Sequence, residues 1–270
     1  MALTLASERY GEGGASQSAP MLIAHGLFGA GRNWMSLARR FAESRQVATV
    51  DLRNHGASPW GDETDYLSLG QDLLQTAEAL FARPAILLGH SMGGKAAMAA
   101  ALQAPEQVAG LIVADVAPVA YSGHQHGVYV EAMRRADLSG VSRRSQIEPQ
   151  LVEAIPDAAL RAFILANLAF EETPEGRRAR WRVNLDALGE GMADVIGWPE
   201  ALDEKSYSGP SYFLAGGASD YVDAAGAQHI HALFPNAAID ALEGAGHWLH
   251  AEQPDPFFER VSGWLRQRGM

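Results

Sequence analysis

Short, almost wholly apolar runs alternate with longer amphipathic stretches through the first half of the chain, and no other feature narrows the possible folds as far. A strand that is apolar at every position has both faces covered, which is how strands lie in a parallel sheet sandwiched between crossover helices. Pro20 to Ala24 is the first such run, ending at His25-Gly26. It is followed by Asn33 to Phe41, with Trp34, Leu37, Ala38 and Phe41 at helical spacing. Val47 to Val50 then reads as strand, Leu67 to Phe81 as helix and Ala85 to Leu88 as strand. The Ala-rich Ser91 to Leu102 reads as helix and Val108 to Ala114 as strand. The implied class is α/β, with a mostly parallel central sheet and helices on both faces.

The alternation stops between Pro118 and Lys205, where the periodicity predicts helices throughout and no strand. It resumes with Ser211 to Ala215 as strand, Ala224 to Phe234 as helix, Ala237 to Leu242 as strand, and an amphipathic helix from about Pro256 to Arg266. A helical insert between two strands of one sheet is most simply a cap over the carboxyl edge, where open parallel sheets bind ligands. The expected organisation is a core of residues 1–117 and 206–270 with a helical cap at 118–205. Gly11 to Ser18 reads as a turn between an edge strand and the sheet.

Composition removes several function classes. At 270 residues and 47% hydrophobic content, the chain can bury roughly three-quarters of its unfolded surface. A net charge of −11 repels phosphate backbones and anionic lipid heads, so neither nucleic acid nor a membrane is an expected partner. The absence of cysteine excludes thiolate nucleophiles, disulfides and Cys-based metal sites. The first ten residues lack the basic start and sustained apolar run of a signal peptide, and no stretch approaches the ~18 apolar residues of a membrane span. The starting expectation is a cytoplasmic enzyme or binding protein.

Gly89-His-Ser-Met-Gly93 matches G-x-S-x-G and stands where that motif must stand, after a buried strand and before a helix. A nucleophilic serine needs a sharp turn that lifts its hydroxyl clear, and glycines two residues to either side remove the Cβ atoms that would collide there. The helix N-terminus also brings backbone N–H groups to developing negative charge. Gly89 to Lys95 spells G-x-x-x-x-G-K as well, the phosphate loop of nucleotide hydrolases. Residue 96 is Ala, however, where that loop needs a hydroxyl for Mg²⁺, and the NTPase reading is set aside. Lys95 is then expected to reach solvent or a neighbouring acid.

A serine hydroxyl needs a base, and among nine histidines His247 is the best placed, in Gly244-Ala-Gly-His-Trp-Leu-His250 between the last strand and the last helix. His229 and His231 point apart on a helix, His124 and His126 lie in the insert, His90 flanks the serine, and His250 reads as a support or surface residue. The imidazole needs a carboxylate from another strand end. Asp115, hemmed by apolar residues, and Asp220, in a looser Gly-Ala-Ser loop, both satisfy the chain order Ser, Asp, His. Leu27, in His25-Gly-Leu-Phe-Gly29, and Met92 can supply the two N–H donors of an oxyanion hole. His25, Phe28, Tyr121, Trp181 and Trp248 are candidate substrate-binding residues, with Phe163, Leu168 and Phe170 as further lid or cap-core positions. This chemistry, acyl transfer to Ser91 followed by water attack, calls for no metal and no organic cofactor.

Taken together, H-G-L-F-G, D-L-R-N-H-G-x-S-P, G-H-S-M-G-G-K, D-V-A-P and the late Gly-Ala-Gly-His resemble the α/β-hydrolase fold along nearly the whole chain. Their particular forms look like the YbfF-type branch of bacterial esterases, with Asn54 where most hydrolases of this fold carry Gly. The resemblance implies hydrolysis of carboxylic esters, small aryl or acyl esters first and acyl thioesters second. It also implies Ser91 as nucleophile, His247 as base and Asp115 as acid. The sequence departs near Asp220: aligned on Val222, Ser219 takes the commoner acid position and Asp220 falls one residue beyond, which keeps Asp220 as the alternative. Serine rather than aspartate at the elbow argues against dehalogenase and epoxide-hydrolase chemistry. Two other readings are an acyl-CoA thioesterase and an idle scaffold serving as an interaction protein. In the thioesterase reading Arg177, Arg178, Arg180 and Arg182 would meet phosphates, with Arg178 and Arg182 on one helix face. The plainer reading of these arginines is a solvated face balanced by Glu171, Glu172 and Glu175.

Overall fold

The computed structural model describes residues 1–11, 18–122, 125–174 and 176–270. Among them the strands are β1 (Ser7–Tyr10), β2 (Met21–Ala24), β3 (Val47–Val50), β4 (Ala85–His90), β5 (Val108–Ala114), β6 (Leu168–Thr173), β7 (Gly176–Trp181), β8 (Ser211–Gly216) and β9 (Ala237–Leu242). Seven of these make one sheet in the order β1-β3-β2-β4-β5-β8-β9, parallel throughout except for the antiparallel edge pair β1 and β3. The turn expected over Gly11 to Ser18 falls, at 12–17, outside the described residues.

The apolar strands sort their side chains by the two-residue period of extended chain. Met21, Ile23, Ile86, Leu88, Ile112 and Leu214 share one core with Trp34, with Leu37 and Phe41 of α1 (Met35–Phe41), and further along the chain with Phe257, Val261 and Trp264. Leu22, Ala24, Leu87, Leu111, Val113 and Phe213 pack on the other face. That face is covered by α2 (Tyr66–Phe81) and α3 (Met92–Gln103). Ala96 to Ala101 of α3, five alanines and Met98, are fully buried, the small side chains letting the helix wedge closely between the sheet and a second helix. Asp65 caps α2 by accepting from the Ser68 N–H.

Between β5 and β8 the chain runs through α4 (His126–Arg135), α5 (Glu148–Leu151), α6 (Ala158–Leu165), the β6–β7 hairpin, α7 (Leu185–Glu190) and α8 (Met192–Ile196). The hairpin corrects the expectation of helices throughout. Ala179, Trp181 and Val183 are buried while Arg178, Arg180 and Arg182 are exposed, which is period two. The strands pair Glu171 with Arg178 and Glu172 with Arg177 in register. Arg177 lies 3.6 Å from Glu172, and Arg180 forms a close ion pair with Glu171. Arg178 and Arg182 therefore share a strand face, not a helix face. Beyond β8 follow α9 (Ala224–Leu233), then α10 (Leu249–Glu252) and α11 (Pro254–Gln267) after β9.

β2 is central, β3 lies on one side of it and β4 on the other, so chain direction across the sheet reverses between β2 and β4. Open α/β sheets bind ligands at the carboxyl end of such a reversal. Four non-glycine residues with positive φ stand at this edge: Phe28 (60°) after β2, Asn54 (65°) after β3, Ser91 (51°) after β4 and Asp115 (51°) after β5. Each costs of order 1–3 kcal/mol and persists only because its surroundings over-determine it. Among the described residues no helix is long and apolar enough to cross a membrane.

Candidate active site

Ser91 sits at the junction of β4 and α3 with φ 51° and ψ −119°, its N–H donating to the Ala114 carbonyl at 3.0 Å. The turn is too tight for side chains on its flanks. A Cβ at Gly89 would lie 2.1 Å from the Gly93 carbonyl oxygen, and one at Gly93 would lie 2.4 Å from that of His25. The hydroxyl is thereby thrust out at the N-terminal end of α3.

His247 hangs in the loop between β9 and α10. Glu252 braces that loop by accepting from the Gly246 N–H at 2.6 Å and the Trp248 N–H at 3.3 Å, and His90 Nε2 donates to the His247 carbonyl at 2.8 Å. His247 Nε2 lies 3.1 Å from Ser91 Oγ, and its Nδ1 lies 2.7 Å from Asp115 Oδ2. An ionised carboxylate can only accept, so Nδ1 carries the proton and Nε2 is left to accept from the serine. The Asp115 side chain is wholly buried and accepts twice more, from the Gly216 N–H at 2.8 Å and the Ser219 hydroxyl at 2.5 Å. Asp220, one residue beyond Ser219, is exposed to solvent. The chain thus brings Ser91, His247 and Asp115 into one hydrogen-bonded line and leaves Asp220 outside it.

Two neighbours of that line were not among the candidate site residues of the sequence. Ser219 reaches Asp115 from a loop that folds back beside the end of β5, and Tyr221 stacks on the His247 ring at 3.9 Å and 17°. The Tyr121 hydroxyl holds the stack by donating to the Tyr221 carbonyl at 2.6 Å while accepting from the Ala117 N–H at 2.7 Å. Only the oddity of Ser219 at the commoner acid position hinted at the first.

His25 and His55 shape the turn that carries Leu27. His25 Nδ1 donates to the Gly26 carbonyl at 2.7 Å and Nε2 accepts from the Leu52 N–H at 2.9 Å. His55 Nδ1 donates to the Arg53 carbonyl at 3.0 Å and Nε2 accepts from the Phe28 N–H at 3.2 Å. Each imidazole has one donor and one acceptor, so both work only when neutral. Burial pushes both pKa values down, that of His55 to about 3. His90 is likewise pushed well down by burial and neighbouring imidazoles. His250, expected as a support or surface residue, is buried in a parallel stack on Trp34, 4.1 Å away, with its pKa lowered to about 3 by burial.

Ser91 faces a cleft of about 230 Å³ lined by His25, Phe28, Tyr129, Phe163, His247 and Trp248, among others. Leu27, Met92, Ser91 and Tyr121 line a second, smaller chamber. Trp181 lines neither. It is buried in the insert with its indole N–H donating to the Met133 carbonyl at 3.0 Å, and it faces a separate groove on the outer side of the hairpin. Leu168 is buried, Phe170 lies 4.7 Å beneath the Arg177 guanidinium, and neither reaches the cleft. His126 lines the cleft, whereas His124 lies outside the described residues.

Lys95 overturns its expectation. It is 2% exposed rather than solvated, and its ammonium donates to the carbonyls of Ile196 at 3.1 Å and Gly197 at 2.6 Å, where α8 ends. It also lies 4.6 Å from the Tyr121 ring centroid and 5.3 Å from that of Tyr66. Burial lowers its pKa to about 7, against the opposing pull of carbonyls and ring faces that favour the charged form. Among the described residues no group of three or more His, Asp or Glu side chains is placed to hold a metal ion.

Comparison with known proteins agrees with this architecture. A model of the alpha/beta hydrolase family matches residues 21–260. The chain is 38% identical to the sn-1-specific diacylglycerol lipase ABHD11 of Mus musculus over 252 residues, 91% of this chain and 80% of that protein. It is 32% identical to esterase YbfF of Escherichia coli, covering 92% of this chain and 93% of the other. A solved marine microorganism esterase superposes with a TM-score of 0.90 at 35% identity, covering 98% of this chain and all of that one.

Proposed function

The chain belongs to the alpha/beta hydrolase family and is a carboxylic ester hydrolase, and on that premise we propose that it works through an acyl-enzyme on Ser91. The observation that carries this reading is the continuous line from Ser91 Oγ through His247 to the buried Asp115.

In the first half-reaction Ser91 Oγ attacks the ester carbonyl as His247 Nε2 takes its proton. The carbonyl oxygen becomes an oxyanion beside the N–H groups of Leu27 and Met92, and the imidazolium is stabilised by Asp115 across 2.7 Å. Collapse breaks the bond to the alcohol oxygen, which leaves with the proton from His247. Water then gives its proton to His247 and its hydroxide to the acyl carbon, releasing the carboxylic acid and restoring Ser91. Three donors hold the Asp115 carboxylate in place, and the stacked Tyr221 restricts the imidazole to the plane in which it can serve both partners.

In this reading residues 1–117 and 206–270 form the catalytic core and residues 118–205 form a cap. The supporting observation is that Tyr129 of α4 and Leu160 and Phe163 of α6 line the cleft over Ser91. Phe28, Trp248 and His25 belong to the substrate cleft, with Tyr121 in the smaller chamber. Trp181 is assigned to the cap core. Small aryl and acyl esters are the proposed substrates. The relatives named as diacylglycerol lipases add acylglycerols to the panel to be tested. Arg177, Arg178 and Arg180 line a groove apart from the Ser91 cleft, among the described residues no arginine lines that cleft, and Arg177 and Arg180 are engaged by Glu172 and Glu171, so the hairpin lends little support to phosphate-bearing thioesters.

The test is turnover of aryl esters by the wild type and Ser91→Ala, with labelling by a serine-directed phosphonate. The expected result is a loss of about 10⁵-fold or more in kcat and loss of the label, with the thermal midpoint retained. A variant that keeps turnover and is still labelled would reject Ser91 as nucleophile.

A further inference from the structure

Ser91 stands between two spaces of unequal size. On one side is the aromatic cleft of about 230 Å³, which contains the His247 ring. On the other is a chamber of about 20 Å³ bordered by Leu27, Met92, Lys95, Val116, Tyr121 and Ile196. Among the described residues His247 lines the first and not the second. We propose that the cleft receives the leaving alcohol and the chamber receives the acyl group, so that the enzyme is selective for acetyl-sized acyl groups while tolerating large, apolar alcohols, with Lys95 setting the acyl limit. This deepens the ester-hydrolase reading and rests on it.

Three substituents surround the acyl carbon once it is bonded to Ser91, and their directions are not interchangeable. The alcohol oxygen must meet His247 Nε2 to take its proton, which puts the alcohol on the cleft side. The oxyanion must lie toward the backbone at Leu27 and Met92. The remaining direction, for the rest of the acyl group, leads into the chamber. A space of that volume holds about one water-sized group, and a methyl is close to that size.

The end of the chamber cannot give way cheaply. The Lys95 ammonium is fastened to the Ile196 and Gly197 carbonyls, and moving it aside would strip hydrogen bonds from a buried cation. Val116 is buried on the neighbouring wall, and Ile196 belongs to the same helix end that Lys95 grips. A longer acyl chain therefore meets a fixed, polar floor. An extra methylene is unwelcome there both for its volume and because it would crowd a group that needs polar neighbours.

The experiment compares kcat/KM for acetate, butyrate and octanoate esters of one phenol, and for acetates of phenol and naphthol. These are run on the wild type, Ile196→Ala and Lys95→Met, with a thermal midpoint for each. Wild type is expected to prefer acetate over butyrate by about 10-fold or more, and to change less than about 3-fold between phenol and naphthol. Ile196→Ala removes side-chain bulk without touching the carbonyls that hold Lys95, and should raise the butyrate-to-acetate ratio about 10-fold. Lys95→Met should shift the ratio the same way, and if it does not fold, Ile196→Ala carries the test alone. Equal or better turnover of butyrate by the wild type, with a ratio unmoved in Ile196→Ala, would place the acyl group in the wide cleft and overturn the proposal alone. No turnover of any ester, or turnover that survives Ser91→Ala, would overturn the ester-hydrolase reading beneath it.

Discussion

The carboxyl edge of the sheet and the segment inserted between β5 and β8 face each other across the cleft, yet they are held in place by different means. At the edge, strain is concentrated at Phe28, Asn54, Ser91 and Asp115, and the polar groups that fix it are neighbours on adjacent strand ends. His25 and His55 accept from the Leu52 and Phe28 N–H groups, and Gly216 and Ser219 donate to Asp115, all at the ends of the parallel strands. The insert is gripped by groups of the core that seize its backbone. The Tyr66 hydroxyl donates to the Val195 carbonyl at 2.5 Å, Lys95 donates to the end of α8, and the Gly56 N–H donates to the Arg182 carbonyl at 2.7 Å. In return Asn167 donates to the strained Phe28 carbonyl at 2.7 Å. In the proposed reading the difference separates roles: the edge holds the reacting atoms, while the insert governs which molecules reach them.

The sharpest way to break this contrast is at the acid. Asp115→Asn leaves the fold in place but removes the acceptor that sets the His247 tautomer, so kcat should fall about 10⁴-fold, as in the equivalent protease substitution, while Asp220→Asn stays within about 2-fold. Steady-state kinetics on the two variants decide it, and the reverse ranking would assign the acid to the exposed loop. Next in size are the grips on the insert. Asn167→Ala and Tyr66→Phe each strand a buried carbonyl and should cost about 1–3 kcal/mol in urea unfolding. They should raise KM more than they lower kcat; a kcat loss as large as that of Asp115→Asn would erase the distinction between the regions.

Acid sensitivity should belong to the edge. His55 and His250 are held neutral, with pKa values lowered by burial from 6.5 to about 3. Between those values the unfolded chain binds protons that the folded chain does not. Stability is therefore fully present above pH 6.5 and declines as the pH falls toward 3, by about 1.4 kcal/mol per pH unit for each imidazole. Urea midpoints between pH 7 and 5 measure the slope, and His250→Gln should flatten it; an unchanged slope would show that His250 already titrates normally. The smallest effect expected is at Ser219. Loss of its hydroxyl in Ser219→Ala removes one of three donors to Asp115 and should lower kcat about fivefold, with little change in KM.

Much of the edge was legible because its chemistry is local. Apolar strands announced a sheet covered on both faces, and G-x-S-x-G between a strand and a helix identified the elbow, because few residues tolerate so tight a turn. The insert was less legible. Its hairpin hid behind a run of arginines, since Ala179 and Trp181 alternate with charge at a spacing too short to stand out, and the pairing that makes it a strand lies across a turn. Lys95 misled for a related reason: lysine is ordinarily solvated, and the carbonyls that compensate its burial are about a hundred positions away in the chain.

The sequence by itself determined what depends on neighbouring residues: the alternation that makes the sheet, the strained serine turn, and two aspartates and a histidine at strand ends. The tertiary structure alone decided what depends on through-space geometry. It seated His247 between Ser91 and Asp115, turned Ser219 into a support for that aspartate, left Asp220 in solvent, and buried the Lys95 ammonium against the carbonyls at the end of α8. Hydrogen bonds demand distances of about 2.7–3.2 Å, and the 2.7 and 3.1 Å distances between residues 132 and 156 positions apart are set by the packing of whole strands and helices, which no local pattern encodes.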